Sequence, residues 1–231
     1  MQEIFEKCGV FGIYGPELDV SRITYHGLFA LQHRGQESSG IAVTDGQFIT
    51  CHKDEGLVAK VYNEWHIKGL NGTAAIGHNR YSTSEGAGVH HAQPFVIDNK
   101  LAFAHNGNLP SVVAIKTFLK TKRIKTGGHS DSELMAKAIA FYLDLGKPIQ
   151  EAVWLCYPLF TGAFSVVGLT PNSLFAFRDE CGIRPLCIGQ LEGNYIVASE
   201  TCALNIVGAK FIRDVLPGEL VVIDEQGLHS F

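Results

Sequence analysis

The sequence of 231 residues predicts an α+β fold, a four-layer αββα sandwich in which two antiparallel sheets stack face to face with helices outside them. Two observations lead to this fold class. Successive strands are joined by short turns, whereas parallel neighbours would need a helical crossover at every step. Strands such as AFSVVGL and ELVVID are apolar on both faces, which indicates that each sheet is covered on both sides. The chain is expected to form one domain without repeats or linkers.

The first part of the chain carries clear local signals. CGVFGIYG near the N-terminus is a short apolar strand that ends in glycine. The range Val20–Gln32 has apolar residues at helical spacing, with Asp19 and Ser21 as candidate caps. The strands SGIAVT and QFITCHK are joined by Asp45-Gly46, a strong hairpin signal.

The remaining elements are predicted from the same kinds of pattern. TAAIGH, PFVID and KLAFAH are strands, the last two linked by Asp98-Asn99. Helices are predicted over Ser111–Leu119, Ser130–Leu143 and Ile149–Tyr157. The second half is then mostly hairpins: FSVVGL and SLFAF around the turn TPNS, followed by RPLCIG, NYIVAS and ELVVID.

Charge and hydropathy argue against nucleic-acid and membrane partners. The net charge is −4, and the only basic cluster, Lys120–Lys125, is interpreted as a solvated helix end. The range Ala152–Phe177 has no charged residue and is nominally long enough to cross a bilayer. Pro158, Gly162 and the TPNS turn interrupt it, so a buried hairpin is the better interpretation.

The cysteines indicate a reducing compartment. There are six, scattered without a CxxC pair, in a chain large enough to need no disulfide framework. They are interpreted as reduced thiols of a cytoplasmic protein. Met1–Lys7 has two acidic residues and no apolar run, so it does not resemble a signal peptide.

Cys8 is the first candidate for chemistry, because it stands at the head of a strand and is followed by glycine. Inside the chain it can simply be a small apolar residue. If Met1–Lys7 is removed, however, Cys8 carries both a thiol and a free α-amine. The pKa of such an amine is roughly 8, so it can take the thiol proton as a general base without a histidine.

Three other segments carry polar groups suited to an amide substrate. Asn106 and Gly107 offer a side-chain amide and an approachable backbone N–H for an oxyanion hole, although an ordinary Asn-Gly turn explains them too. Asp131 precedes a helix in HSDSE, either within its N-terminal cap or as a carboxylate that faces a cation. Arg34 stands at a helix end, where it could cap the helix and pair with Glu37.

Arg80 lies in GHNRYSTSEG, directly after the apolar stretch TAAIGH, and an arginine at the edge of a buried strand needs an anion. Gly77 and Gly86 are expected to place it on a loop that is able to close. A metal site is not expected, because the histidines show no HExxH-like spacing and His78, His105 and His129 are predicted to lie dispersed in separate loops.

The ordered set of motifs is more specific than any member of it. CGVFGI, HRGQESSG, GHNRYST, AHNGNL and SDSE together resemble the glutaminase domain of class II, or N-terminal nucleophile, glutamine amidotransferases. Within that class the pattern is most similar to the amidophosphoribosyltransferase family, which acts at the first committed step of purine nucleotide synthesis. GHNRYST fits that family's GH-x-RY-x-T pattern, whereas hexosamine-forming relatives are expected to have tryptophan after the arginine and tyrosine in place of His33. GIRPLCIG and ASETCALNIVGAKFIRDVLPGELVVID extend the resemblance through the chain.

The resemblance implies an N-terminal nucleophile hydrolase fold and a set of roles around glutamine. A zwitterionic substrate needs one fixed cation and one fixed anion, and the planar guanidinium of arginine suits a carboxylate. Carried over by position, the implied roles are the nucleophile Cys8, the oxyanion hole Asn106 and Gly107, the α-carboxylate site Arg80 with Thr83 nearby, the α-ammonium site Asp131, and Arg34 as support for the nucleophile strand.

The resemblance also implies a division of the chain. Met1–Lys7 resembles the short propeptide that some family members remove themselves, and residues 8–231 resemble the glutaminase domain. A precursor that retains the propeptide is expected to lack glutaminase activity, because the nitrogen of Cys8 is then an amide and Lys7 crowds the pocket.

The phosphoribosyltransferase domain that uses the ammonia has no counterpart, since no paired aspartates precede a Thr/Gly-rich phosphate loop. A glutaminase half is therefore expected, without a cofactor of its own. Mg²⁺ and any iron–sulfur ligands would belong to the absent half. The expected partners are glutamine and a phosphoribosyltransferase domain or subunit, and homo-oligomerisation is left open.

Other functions fit the same motifs. One is the glutaminase domain of another class II amidotransferase, or an N-terminal nucleophile amidohydrolase that acts on a different amide. A function of another kind is a non-catalytic subunit that senses glutamine. Turnover tests with glutamine, asparagine and penicillin-type amides, together with a Cys8→Ala variant, separate these alternatives.

Overall fold

The computed structural model describes residues 8–81, 88–127 and 130–231. Within them lie thirteen strands and seven α-helices. The strands are β1 Gly9–Tyr14, β2 Ser38–Thr44, β3 Ile49–Glu55, β4 Ala74–Arg80, β5 Phe95–Ile97, β6 Leu101–Asn108, β7 Ala163–Thr170, β8 Ser173–Arg178, β9 Cys187–Leu191, β10 Asn194–Ala198, β11 Lys210–Asp214, β12 Leu220–Asp224 and β13 Gly227–Ser230. The helices are α1 Val20–Ala30, α2 Val58–Val61, α3 Glu64–Gly69, α4 Val113–Thr121, α5 Asp131–Asp144, α6 Ile149–Cys156 and α7 Thr201–Ile206.

The strands form two sheets in which every pairing is antiparallel. The first sheet has seven strands in the order β11-β9-β10-β1-β4-β2-β3, and the second has six in the order β13-β12-β8-β7-β6-β5. The N-terminal strand β1 lies inside the first sheet, with β4 on one side and β10 on the other. The start of β1 is thereby held between strands that are distant in sequence.

Three hydrophobic clusters define the layers. One lies between the two sheets and includes Val10, Ile76 and Ala104. A second joins α4, α5 and α6 to the outer face of the six-stranded sheet, and a third joins α1, α2, α3 and α7 to the outer face of the seven-stranded sheet. The order of layers is helix, sheet, sheet, helix. The predicted αββα sandwich is confirmed.

The alternation of side chains along a strand determines which groups enter the space between the sheets. Ile76 on β4 and Ala104 on β6 belong to the inter-sheet cluster. Two residues further along, His78 and Asn106 therefore face the same space, and Arg80 follows on β4. Polar side chains of both sheets converge at this end of the sandwich.

The local predictions are largely confirmed. The Asp45-Gly46 and Asp98-Asn99 turns join β2 to β3 and β5 to β6, and the TPNS turn joins β7 to β8. The four predicted helices correspond to α1, α4, α5 and α6 with ends shifted by at most two residues. Ser130 is the N-cap of α5, because its side chain accepts a hydrogen bond from the Glu133 N–H. Asp131 is thus the first helical residue.

Several short elements were not predicted. Helices α2, α3 and α7 have only four to six residues, and β11 and β13 have five and four. Elements this short contain too little of a repeating pattern to be recognised by periodicity. The uncharged range Ala152–Phe177 forms the end of α6 and the β7–β8 hairpin. None of the helices in the described ranges is long and apolar enough to cross a membrane.

Candidate active site

Cys8 directly precedes β1 and is bound to Arg34 through its backbone. The Cys8 N–H donates to the Arg34 carbonyl at 3.0 Å, and the Arg34 Nε donates to the Cys8 carbonyl at 2.7 Å. Arg34 lies in the 3₁₀ turn after α1 and is 2% exposed. Cys8 has φ +72°, a left-handed conformation that is uncommon for a residue with a side chain. The two hydrogen bonds hold it there.

Arg34 also forms an ion pair with Glu200, at the start of α7. Burial alone would raise the pKa of Glu200, but the hydrogen bond and charge of Arg34 outweigh it and hold the pKa below its usual value. The pairing of Arg34 with Glu37 suggested by the sequence is wrong. Glu37 instead contacts Arg80, because β2 and β4 are neighbours and Glu37 comes directly before β2.

Arg80 is the last residue of β4, and its Nη1 lies 2.5 Å from Glu37 Oε1. The prediction that Gly77 is a loop hinge for Arg80 is wrong, since Gly77 lies inside β4. A Cβ at Gly77 would stand 2.7 Å from side-chain atoms of Leu28 and Thr24, so this glycine allows α1 to pack closely on the sheet. Gly86 and the predicted substrate contact Thr83 lie outside the described residues.

The thiol of Cys8 is held in its protonated form. Burial raises the pKa of Cys8, and a hydrogen bond from the Tyr81 backbone and the charges of Arg80, Arg34 and Arg184 only partly oppose that effect. A protonated thiol is a poor nucleophile, because the thiolate is the reactive form. Chemistry at this sulfur therefore requires a base that removes its proton.

Asn106 lies on β6, is fully buried and faces the space between the sheets. Neither its amide oxygen nor its amide nitrogen has a hydrogen-bond partner among the described residues. Leaving a buried polar group unpaired costs about 1–3 kcal/mol, so such groups in native structures usually await a ligand, water or ion. The Asn106 amide is therefore available as a donor to a group that enters the space.

Gly107 allows β6 and β7 to approach each other beside Asn106. Its φ is +156°, and a Cβ at this position would lie 2.2 Å from the Ala163 carbonyl oxygen and 2.7 Å from Phe164 Cα. Both atoms belong to the backbone, so the space could open only by moving β7. Glycine is thus required by the packing of the two strands, whichever chemistry follows.

Asp131 fixes the loop that follows β6. Its Oδ2 accepts from the Leu109 N–H at 3.0 Å, and its Oδ1 accepts from the Ser132 N–H at 2.7 Å. The side chain is 19% exposed, and Oδ1 lies 3.7 Å from His105 Nδ1. A half-buried carboxylate therefore stands at the end of the strand that carries Asn106.

A buried polar network connects the two sheets at this point. His78 Nε2 lies 3.2 Å from the His105 carbonyl oxygen, and His105 Nδ1 lies 3.0 Å from Ser132 Oγ. Gln93 donates to Ser132 Oγ and accepts from the His105 N–H. The prediction that His78 and His105 lie dispersed in separate loops is wrong: they occupy neighbouring positions of β4 and β6 across the space between the sheets. His129, the third histidine of that prediction, lies outside the described residues.

His78 makes the stability of the fold sensitive to acid. Burial lowers the pKa of His78 to about 3. The pKa of histidine in the unfolded chain is about 6.5. Below this pH the unfolded chain binds a proton at His78 that the folded chain does not bind. The unfolding free energy therefore falls by about 1.4 kcal/mol for each pH unit by which the pH is lowered. When the pH is lowered from 7.5 to 5.0, the unfolding free energy of His78→Gln should therefore fall by about 2 kcal/mol less than that of the unchanged protein.

Urea unfolding at the two pH values measures this difference. The control is His26→Gln, which removes an exposed histidine of α1. The prediction fails if His78→Gln and the unchanged protein lose the same free energy.

One cluster of possible metal ligands was not anticipated. His33 Nε2, Glu200 Oε2 and Cys202 Sγ all lie within 4.8 Å of one another. No spacing pattern in the sequence indicates this cluster, because His33 is far from Glu200 and Cys202 along the chain. Glu200 is already paired with Arg34, and His33 Nε2 lies 3.0 Å from Glu200 Oε2, so ion pairing accounts for the arrangement.

The structure thus brings Cys8, Arg34 and Arg80 together at the start of β1, and Asn106, Gly107 and Asp131 at the end of β6. The His78–His105 contact connects the two groups. A half-buried residue that the sequence did not single out, Arg184, also belongs here, because its charge acts on both Cys8 and His105. Its only sequence signal was the motif GIRPLCIG, which marked the family and no role.

Known proteins that are similar to this chain in sequence and in fold are glutamine amidotransferases. Residues 78–205, more than half of the chain, match the family described as "Glutamine amidotransferase domain". The amidophosphoribosyltransferase of Synechococcus elongatus is 44% identical over 233 residues, which is 98% of this chain and 47% of the relative. That of Synechocystis is 47% identical over 232 residues, which is 97% of this chain and 47% of the relative. The glutamine phosphoribosylpyrophosphate amidotransferase of B. subtilis, solved with ADP and GMP, superposes with a TM-score of 0.87 at 38% identity, covering 97% of this chain and 49% of that one.

The chain belongs to the glutamine amidotransferase domain family, with the fold of class II, N-terminal nucleophile members. Within that family it is similar to the amidophosphoribosyltransferases, enzymes of purine biosynthesis. The chain spans about half the length of the curated relatives that it matches.

Proposed function

We propose that this domain is the glutaminase half of an amidophosphoribosyltransferase. It hydrolyses glutamine to glutamate and ammonia, and the ammonia is used to form phosphoribosylamine in de novo purine synthesis. The observation that carries the proposal is the buried amide of Asn106, which has no hydrogen-bond partner among the described residues and faces the space between the sheets. Cys8 directly precedes β1, whose Val10 lines that same space. A nucleophile beside an unused hydrogen-bond donor is the arrangement that attack on an amide requires.

The reaction proceeds through a thioester on Cys8. The free α-amine of Cys8 takes the thiol proton while sulfur attacks the carbonyl carbon (Cδ) of the glutamine side-chain carboxamide, and the carbonyl π electrons move to oxygen. Asn106 and the backbone of Gly107 stabilise the resulting oxyanion. When the C–N bond breaks, the leaving nitrogen takes the proton and departs as ammonia. Water then attacks the thioester, releases glutamate and returns the proton to sulfur.

Charged groups recognise the two ends of the amino acid. Arg80 binds the α-carboxylate with Thr83 nearby, and Asp131 binds the α-ammonium. Arg34 acts on the backbone of Cys8 rather than on the substrate, since its Nε donates to the Cys8 carbonyl. In the structure Arg80 contacts Glu37, so binding of the substrate carboxylate requires the guanidinium to share or exchange that partner.

Met1–Lys7 is proposed to be a propeptide. With Lys7 attached, the Cys8 nitrogen is an amide and cannot act as a base. Removal converts it into a primary amine and opens the approach to the sulfur. The protein is proposed to act in the cytoplasm with a phosphoribosyltransferase domain or subunit. That half would hold Mg²⁺, and residues 8–231 need no cofactor for hydrolysis.

The proposal is tested by measuring ammonia release alongside intact mass and N-terminal sequence. Protein that begins at Cys8 should hydrolyse glutamine, whereas protein that retains Met1–Lys7 should not. Asparagine and penicillin-type amides should be poor substrates for both. Rapid hydrolysis of glutamine by protein whose mass still includes Gln2–Lys7 would contradict the proposed role of the amine, and a preference for another amide would contradict the substrate.

A further inference from the structure

Arg184 lies in the connection between β8 and β9, and its position is fixed from both sides. The Asp179 carboxylate accepts from the Gly182 N–H at 3.0 Å. On the other side of Arg184, Ser165 Oγ donates to the Pro185 carbonyl at 3.3 Å. The backbone that carries Arg184 is therefore anchored to β7 and to the end of β8.

Ser165 connects this loop to the oxyanion candidate. In the β6–β7 ladder, Ser165 is the direct cross-strand partner of Asn106. Side chains of such pairs lie on the same face, about 4.5–5.5 Å apart at Cβ. Pro185 is thus hydrogen-bonded to the residue opposite Asn106, which places the adjacent Arg184 at the same end of the inter-sheet space. Its charge lowers the pKa of Cys8 and of His105, although burial is the larger influence on both.

The three arginines around Cys8 differ in their partners. Arg34 pairs with Glu200, and Arg80 pairs with Glu37. In the described ranges, Arg184 has neither a carboxylate partner nor a hydrogen bond, and its Nε is buried. A guanidinium cannot be deprotonated in a protein, so a buried unpaired N–H retains its full desolvation cost until an oxygen atom approaches it.

We propose that Arg184 binds the carbonyl oxygen of the carboxamide that Cys8 attacks and, with Asn106, shares the negative charge of the tetrahedral intermediate. This inference rests on the proposed function. As the S–C bond forms, the carbonyl π electrons become a lone pair on that oxygen, and Arg184 supplies a fixed positive charge beside it. The reacting end of the substrate is favoured over its α-carboxylate because the loop that carries Arg184 is bonded to Ser165, the cross-strand partner of Asn106.

The kinetic test compares Arg184→Gln and Arg184→Lys in protein that begins at Cys8. Two substrates are used: glutamine, and the glutamine α-amide that lacks an α-carboxylate. Removing one oxyanion donor typically lowers kcat by about 10²–10³-fold. Arg184→Gln should lower kcat by about this factor for both substrates, with little change in KM, and Arg184→Lys should recover part of the rate. Arg22→Gln, which removes an exposed arginine paired with Asp19 and Glu64, is the matched control.

Two kinetic outcomes overturn the proposal. If Arg184→Gln impairs glutamine but not the α-amide, Arg184 binds the α-carboxylate instead. If kcat is unchanged for both, Arg184 is not part of the site. A loss of rate that merely reflects misfolding is recognised by a lower thermal unfolding midpoint than that of Arg22→Gln, and Arg184→Lys then provides the decisive comparison.

A second measurement does not depend on glutamine hydrolysis. The rate of alkylation of Cys8 by iodoacetamide, followed by peptide mass spectrometry across pH, reports on the charge near the sulfur. Arg184→Gln should move the profile to higher pH, and Arg184→Lys should not. An unchanged profile contradicts the placement of Arg184 beside Cys8. If the unchanged protein releases no ammonia but the shift is seen, the proposed function fails while this placement stands.

Discussion

Replacing Cys8 by alanine is expected to abolish ammonia release from glutamine while glutamine still binds. Loss of the nucleophile in a hydrolase lowers kcat on the order of 10⁶-fold, because hydrogen-bonding groups alone cannot provide the covalent route. Arg80 and Asp131 are untouched by the change, so the substrate should retain both of its proposed charged contacts. Steady-state ammonia release and calorimetric titration with glutamine, both on protein that begins at residue 8, measure the two effects.

Cys51→Ala is the matched control, since Cys51 is a half-buried thiol on β3, the edge strand of the seven-stranded sheet. It should retain full activity. If Cys8→Ala binds glutamine and the unchanged protein never releases ammonia, the domain is a glutamine-sensing subunit and the enzymatic proposal is wrong. An electrophilic glutamine analogue gives an independent check, because it should modify Cys8 and leave Cys51 unmodified.

Asn106→Leu is expected to lower the activity while it leaves the unfolding free energy unchanged or raises it. The variant removes the proposed oxyanion donor and should lower kcat by about 10²–10³-fold with little change in KM. It also replaces a buried amide that has no partner in the described part of the chain by an apolar side chain of similar size. Unfolding free energy should therefore stay constant or rise, because the desolvation cost of about 1–3 kcal/mol is removed.

Urea unfolding and steady-state kinetics on the same preparation test both effects. Asn194→Ala serves as the control, since Asn194 begins β10 and, among the residues that the structure describes, its side chain bonds only to the nearby Glu192 carbonyl. A strong destabilisation by Asn106→Leu would mean that the amide has a structural partner. An unaffected kcat would remove Asn106 from the site.

The sequence predicts the local structure well because tight turns are encoded locally. Asp45-Gly46 and Asp98-Asn99 favour turn conformations by themselves. The strands on both sides of them either alternate apolar and polar residues or consist mostly of apolar residues. The order of strands is not encoded in this way. That β1 lies between β4 and β10 depends on contacts between residues separated by sixty or more positions, which no local pattern reports.

The candidate site, too, could be predicted from the sequence only in part. The motifs identify Cys8 and Asn106, and the structure brings their strands together. The partners of charged residues could not be predicted, since Arg34 pairs with a residue 166 positions away. Gly77 was misinterpreted because a glycine three residues before Arg80 suggested a loop, whereas here its missing side chain makes room for Leu28 of α1. Arg184 was missed because one arginine in a loop has no distinctive spacing.

The reciprocal hydrogen bonds between Cys8 and Arg34 have a consequence for the first chemical step. In protein that begins at Cys8, as proposed above, the nitrogen of Cys8 can keep donating one hydrogen to the Arg34 carbonyl. Rotation about the N–Cα bond is then restricted, and the amine lone pair has a limited range of directions. Aiming the proton acceptor in this way before the substrate arrives reduces the orientational entropy lost on the way to the transition state. Arg34 would thereby contribute to the rate without contacting glutamine.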